Sequence, residues 1–224
     1  GKIKSYDIQA SYNHLKQFGA KMLTEITTAP DKRKHFYIND LWGNTYEIIE
    51  EKTSWYMKKN FSTGGVLGAV IGVTNIEKSM TLYKDVLGFD KVISDTTDVF
   101  NDWNGVEGSQ KKFRRVVIRN SKPREGSFGP LLGDNEIELI QALDYSPKKI
   151  FENRLWGDCG FIHLCFDIKN MSALQKACEK VGQPFTVDGG AGFEMGEAAG
   201  HFTYIEYADG TLIELKKKKK LPVI

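Results

Sequence analysis

The sequence predicts an α+β protein built from a repeated strand–helix–three-strand (βαβββ) module. Three observations carry this. Short runs alternate apolar and polar residues, the period of half-buried strands. A helix-capping residue is followed by a glycine at a near-constant distance: Asp7 to Gly19, Asn75 to Gly88 and Asn170 to Gly182, spaced twelve, thirteen and twelve residues. The closing hairpins also match, HFYINDLWGNTYEII from His35 against HFTYIEYADGTLIEL from His201.

In order, IKSYDI is an extended piece, and Asp7 caps a helix over Gln9 to Gln17. Met22 to Thr27, His35 to Asn39 and Thr45 to Glu50 are strands, the last two joined by the tight turn LWGN. Val66 to Val73 is an apolar strand, followed by a helix from Ile76 to Leu87 with Ile76, Met80, Tyr83 and Leu87 on one face. Strands then follow over Asp90 to Phe100, Lys112 to Asn120 and Glu136 to Gln141. The last repeat reads as a strand from Phe161 to Ile168, a helix from Met171 to Val181, and strands at Phe185 to Val187, His201 to Tyr207 and Leu212 to Lys216. The expected organisation is an incomplete module over 1–51, a linker 52–65, a module 66–144, a connector 145–158, a module 159–218 and a tail 219–224.

At 224 residues, 41% hydrophobic and 27% charged, the composition is that of a globular chain. The net charge of +2 argues against a general nucleic-acid binder. Lys216 to Lys220 is read as a solvated strand end and tail, with a patch for an anionic partner as the alternative. Three cysteines without CxxC spacing argue against a disulfide framework and a cysteine-rich zinc site; Cys165 and Cys178 are expected to be buried and reduced. With no membrane-length apolar run and no visible signal peptide, a cytoplasmic protein is the expectation. A first residue of Gly rather than Met points to a processed or trimmed chain.

His163 stands in the otherwise apolar run CGFIHLCFDIKN, seven residues before the cap Asn170. The same step back from Asn75 reaches Gly68, and from Asp7 it falls before residue 1. The first module therefore reads as missing the start of its opening strand.

IGVTNIEKSMTLYKDVLGFDKV looks like the opening of a module in the glyoxalase, bleomycin-resistance and extradiol-dioxygenase (vicinal oxygen chelate) superfamily, and FDIKN, ACEKVGQPF and YIEYADGTLIEL resemble parts of another. The resemblance covers nearly the whole chain. It implies two modules paired into a curled-sheet bowl, with metal ligands on the first and last strands of each. Carried over, those positions are Gly68 and Glu138 in the second module and His163 and Glu214 in the third, with Glu47 as the matching carboxylate of the first. Gly68 departs from the expected histidine or glutamate.

Glu138, His163 and Glu214 would suit Zn, Mn, Fe(II), Ni or Co with positions left open for substrate oxygens. The bland reading makes His163 a hydrogen-bonded core residue and the glutamates strand-end charges. The resemblance implies a metal-dependent lyase or isomerase that polarises vicinal oxygens of a small substrate through an enediolate-like intermediate, Glu138 or Glu214 moving the proton. A ring-cleaving dioxygenase fits less well, because Gly68 supplies no second histidine. The alternative is a metal-free, drug-sequestering binder whose pocket is lined by Trp103, Trp156 and Phe193. Further candidates for substrate contact are His201 and an inward arginine among Arg114, Arg115 and Arg119, with Arg115 preferred; His35 is read as structural or substrate-lining. The glycine-rich stretch Gly189 to Gly200 is either a lid or a plain strand connection. The expected partner is a small molecule, with no nucleic acid and no membrane, and the sequence leaves room for a homodimer.

Overall fold

A computed structural model describes residues 1–53, 62–123, 133–155, 157–191, 200–207 and 209–218. Trp156, Phe193, Glu194, Glu197, Lys219 and Lys220 lie outside the described residues. The chain divides into two compact units. One comprises residues 1–76 and 88–147, the other residues 77–87 and 148–224.

The first unit opens with strand β1 (Lys2–Ser5) and helix α1 (Ile8–Gln17). Asp7 caps α1 as expected, its carboxylate accepting from the Ala10 amide. Gly19 leaves the helix at φ 80°, a left-handed turn that glycine adopts without strain. Two short strands follow, β2 (Lys21–Met22) and β3 (Thr27–Thr28), then β4 (Lys34–Asn39) and β5 (Thr45–Glu50). The expected continuous strand from Met22 to Thr27 is thus broken. Leu23 and Thr24 both donate their amides to the Tyr37 carbonyl, and two donors on one acceptor disrupt the ladder there. The remaining strands are β6 (Thr63–Gly72), β7 (Lys91–Asp98), β8 (Phe113–Arg119) and β9 (Glu136–Ala142).

These strands form one open sheet in the order β2-β4-β5-β1-β6-β9-β8-β7, with β3 alongside β4. Its central join is β1 against β6, antiparallel, with Lys2 opposite Gly68. The opening strands of the first two repeats are therefore paired. The family resemblance groups instead the ligand positions of the second and third repeats. What decides the pairing is a long-range choice of strand edge, which the repeat itself does not encode.

Strand alternation sorts the side chains between the two faces. Phe36, Ile38 and Ile48 pack with Ile8 and Tyr12 of α1. Their neighbours in sequence, His35, Tyr37 and Glu47, are also buried but point the other way. In a flat sheet β4 and β8 would stand roughly 24 Å apart, five strand spacings of ~4.8 Å. Yet His35 on β4 and Arg115 on β8 both reach Asp102, at 3.2 and 2.6 Å, so the sheet curls strongly about this face.

The second unit holds β10 (His163–Asp167), β11 (Val187–Asp188), β12 (Gly200–Glu206) and β13 (Leu212–Lys218) in the order β10-β13-β12-β11. Helix α2 starts at Ile76–Met80 and widens into a π-helical turn over Thr81–Val86. Helix α3 (Met171–Lys180) is capped by Asn170, whose side chain accepts from the Ala173 amide. Met171, Leu174 and Cys178 of α3, with Ile205, Ile213 and Leu215 of the sheet, are buried. Cys178 is buried as expected, whereas Cys165 is exposed, because it falls on the sheet face opposite Ile213 and Leu215. No described helix is long and apolar enough to cross a membrane.

Candidate functional site

The strand registers align the three repeats residue by residue. Lys2 lies opposite Glu47, Val70 opposite Glu138, and Cys165 opposite Glu214. Each first member stands five residues before its helix cap, so Glu47, Glu138 and Glu214 are equivalent closing-strand carboxylates. Their surroundings differ sharply between the two units.

In the first unit the concave face is filled by a buried ion network centred on Lys2. Its ammonium lies 2.7 Å from Glu138, 2.8 Å from Glu136 and 3.0 Å from Glu47, and all four side chains are at most 1% exposed. Arg115 Nε donates to the other Glu138 oxygen at 2.7 Å, and its Nη1 donates to Asp102 at 2.6 Å. Its guanidinium also stacks on Trp103 and Phe100, at 4.2 and 4.6 Å from the ring centres. His35 Nδ1 is 2.6 Å from Glu47. Glu136 accepts from Arg33 and Arg119 as well. Lys2, Glu47, Arg115 and Glu138 line a crevice roofed by Ala29, Pro30 and Asp31 that has no room for a water molecule.

Burial alone would raise the carboxyl pKa values here, but Lys2 and the neighbouring cations overcome it and hold Glu47 and Glu136 down at about 2. Burial alone would lower His35; the Asp102 and Glu47 carboxylates reverse this and raise it. The sign of the pH dependence follows. Depressed carboxylates contribute stability that is present above their unfolded value of 4.5 and lost as the pH falls towards 2. A raised histidine contributes stability that is full below 6.5 and lost as the pH climbs through its folded value. Thermal melts across pH 2–9 should therefore show this network's contribution peaking roughly between pH 4.5 and 6.5. In Glu47→Gln the fall below pH 4.5 should be shallower; an unchanged acid limb would refute the assignment.

Gly68, which the family resemblance puts at a ligand position, is a glycine for a packing reason. A Cβ built there would lie 1.7 Å from the Glu136 carbonyl oxygen of the adjacent strand, so no side chain fits.

In the second unit His163 Nε2 lies 2.9 Å from Glu214 Oε2, with both side chains partly exposed at 27% and 18%. The His163 ring meets Tyr204 edge-on at 5.5 Å. Although the residue is exposed, desolvation around its sulfur and the Glu214 carboxylate push the Cys165 thiol up to about 12. His201 Nε2 lies 2.5 Å from Asp188, at the far side of the sheet from β10.

The structure thus brings His163 and Glu214 together. Glu138 lies in the first unit, with one oxygen on Lys2 and the other on Arg115. Arg115 and Arg119 of β8 both point inward, and both hold carboxylates of their own chain. Arg114 pairs with Asp95. Trp103 is core: its indole donates to the Tyr37 hydroxyl at 2.9 Å, and it packs with Phe100 and Phe113. Within each unit, no three described His, Cys, Asp or Glu side chains gather as a metal-holding group. Sequence reasoning passed over Lys2 and Asp102. The available signal was the place of Lys2 five residues before Asp7, matching Val70 and Cys165 before their own caps.

The model of the glyoxalase, bleomycin-resistance protein and dioxygenase superfamily matches residues 69–204. Among curated proteins none matches the chain. Among solved structures, maize glyoxalase I is similar with a TM-score of 0.62 at 12% identity, covering 96% of this chain and 66% of that one. A candidate dioxygenase from Bacillus subtilis is similar with a TM-score of 0.57 at 13% identity, covering 98% of this chain and 61% of that one. The chain thus spans less than two thirds of the length of either protein. Such low identities speak for the fold alone. With a family match over more than half its length and a repeated βαβββ architecture, the chain belongs to the glyoxalase, bleomycin-resistance protein and dioxygenase superfamily.

Proposed function

We propose that this protein is a glyoxalase-like, metal-dependent lyase or isomerase whose chemistry rests on His163 and Glu214 of the second unit. The observation that carries the reading is the contrast between equivalent carboxylates. Glu138 and Glu47 are closed over by Lys2, whereas Glu214 is partly exposed and faces an imidazole at 2.9 Å.

The donor sets of the two units fit a divalent ion differently. An imidazole nitrogen and a carboxylate oxygen on one accessible face suit Zn, Mn, Fe(II), Ni or Co as two of its ligands. In the first unit an ammonium already stands among the three carboxylates, so that set does not fit. Glu138, with one oxygen on Lys2 and the other on Arg115, has none left for a metal. A bound ion would supply Lewis-acid polarisation of adjacent substrate oxygens. His163 and Glu214 would orient the substrate, and Glu214 is the nearest carboxylate able to take a proton from it. Of the aromatics named for the metal-free alternative, Trp103 is packed into the core, and Trp156 and Phe193 lie outside the described residues.

The test is metal analysis of the purified protein after loading with Zn(II) or Co(II) and dialysis. Stoichiometric metal is expected in the wild type and in Glu138→Gln, and at least ten-fold less in His163→Ala and Glu214→Ala. A wild type that retains none would rule the reading out.

A further inference from the structure

We infer that the first unit carries its own cation: the Lys2 ammonium occupies the point among Glu47, Glu136 and Glu138 where a divalent ion would otherwise bind, and its removal would create a metal site. This does not rest on the reading of His163 and Glu214, which concerns the other unit.

Three buried carboxylates face one point, and only with the ammonium gone would they make a hard-cation site. Oxygen donors of this kind hold Mg(II), Mn(II) or Co(II) when nothing else cancels their charge. Here they come from two strands, Glu47 from β5 and Glu136 and Glu138 from β9, with Lys2 arriving on a third, β1. The ammonium donates a hydrogen bond to Glu138 at 2.7 Å and forms ion pairs with Glu136 at 2.8 Å and Glu47 at 3.0 Å, so one cation faces all three carboxylates. Position favours Lys2 as well. Its antiparallel register partner is Gly68. Directly opposed residues of paired strands project from the same face, so the partner strand offers no side chain to compete for this space.

The arrangement also excludes a metal electrostatically. A divalent ion could enter only by expelling an ammonium that cannot follow its partners into water while β1 stays in the sheet. Losing that proton is no easier, since the carboxylates raise the lysine pKa well above its usual value despite full burial. Arg115 closes the second oxygen of Glu138 in the same way.

Co(II) is the probe, because its visible absorption reports coordination directly. The measurements use a His163→Ala background, so that any site in the second unit is removed and the two readings fail independently. The His163→Ala chain itself should show no Co(II) band. Adding Lys2→Ala should create one site per chain, with a melting temperature that rises when Co(II) is present. Adding Glu138→Gln to that variant should weaken Co(II) binding at least ten-fold. Removing a buried ion-pair partner can prevent folding, but the inference then expects Co(II) to restore the fold. A Lys2→Ala chain that gains no Co(II), or that stays unfolded with Co(II) as without it, would overturn the inference. So would a Co(II) band in the His163→Ala chain that disappears on Glu138→Gln.

Discussion

Arg115→Met should lower the unfolding free energy by about 3–5 kcal/mol, because it strands charges rather than merely shortening a side chain. Arg115 is 2% exposed and bridges Glu138 on β9 to Asp102 in the turn after β7. Methionine would keep most of the aliphatic volume against Trp103 and Phe100, so lost packing would be a small part of the effect. What remains is one oxygen of Glu138 and one of Asp102, both buried and short of a donor. Lys2 still holds the far side of Glu138 and His35 still faces Asp102, which caps the loss below that of an isolated buried charge. Urea unfolding at pH 7 gives the number. Arg114→Met is the internal control: that arginine pairs with Asp95 on a wetter face, with the two side chains 29% and 41% exposed. Its loss should stay under about 1 kcal/mol. Equal losses in the two variants would mean that burial does not decide the value of these pairs.

The contrast between those two neighbours also marks how far sequence could reach. Caps, glycine stops and strand periods are local, and they located the helices and most strands. Asp7, Gly19 and Asn170 act in the structure as their residue types suggest. The equivalence of Glu47, Glu138 and Glu214 was legible too, because a repeat preserves the distance from cap to carboxylate. Two things were not. Nothing in the repeat states which opening strands meet, and β1 chose β6. Nor could alternation tell that Lys2 would find Glu138, 136 residues away in sequence. A lysine on a strand reads as a solvent-facing charge until long-range pairing supplies its partners. The same limit applies to Glu138, whose residue type suits a metal ligand and an ion-pair partner equally well.

Gly68→Ala is the sharpest single test of the central join. An alanine replacing an extended glycine usually costs little and often stabilises, since it restricts the unfolded chain. Gly72, on the same strand, obeys that rule: its added Cβ would meet nothing within 4 Å, so Gly72→Ala should be neutral or gain up to about 1 kcal/mol. At Gly68 the methyl would arrive 1.7 Å from the Glu136 carbonyl oxygen and 2.8 Å from its carbon, and these are backbone atoms that no rotamer change can move. Either β6 must part from β9, breaking the ladder from Gly68 to Gly72, or Glu136 must shift away from Lys2. The expected loss exceeds about 4 kcal/mol, the range of overpacking combined with a broken buried network. Paired thermal melts of Gly68→Ala and Gly72→Ala decide it, and similar midpoints would refute the close approach. A histidine at 68, the residue type that the family resemblance leads one to expect there, would be worse still. The glycine at 68 therefore follows from how tightly β6 and β9 are joined, and any side chain placed there would break the sheet.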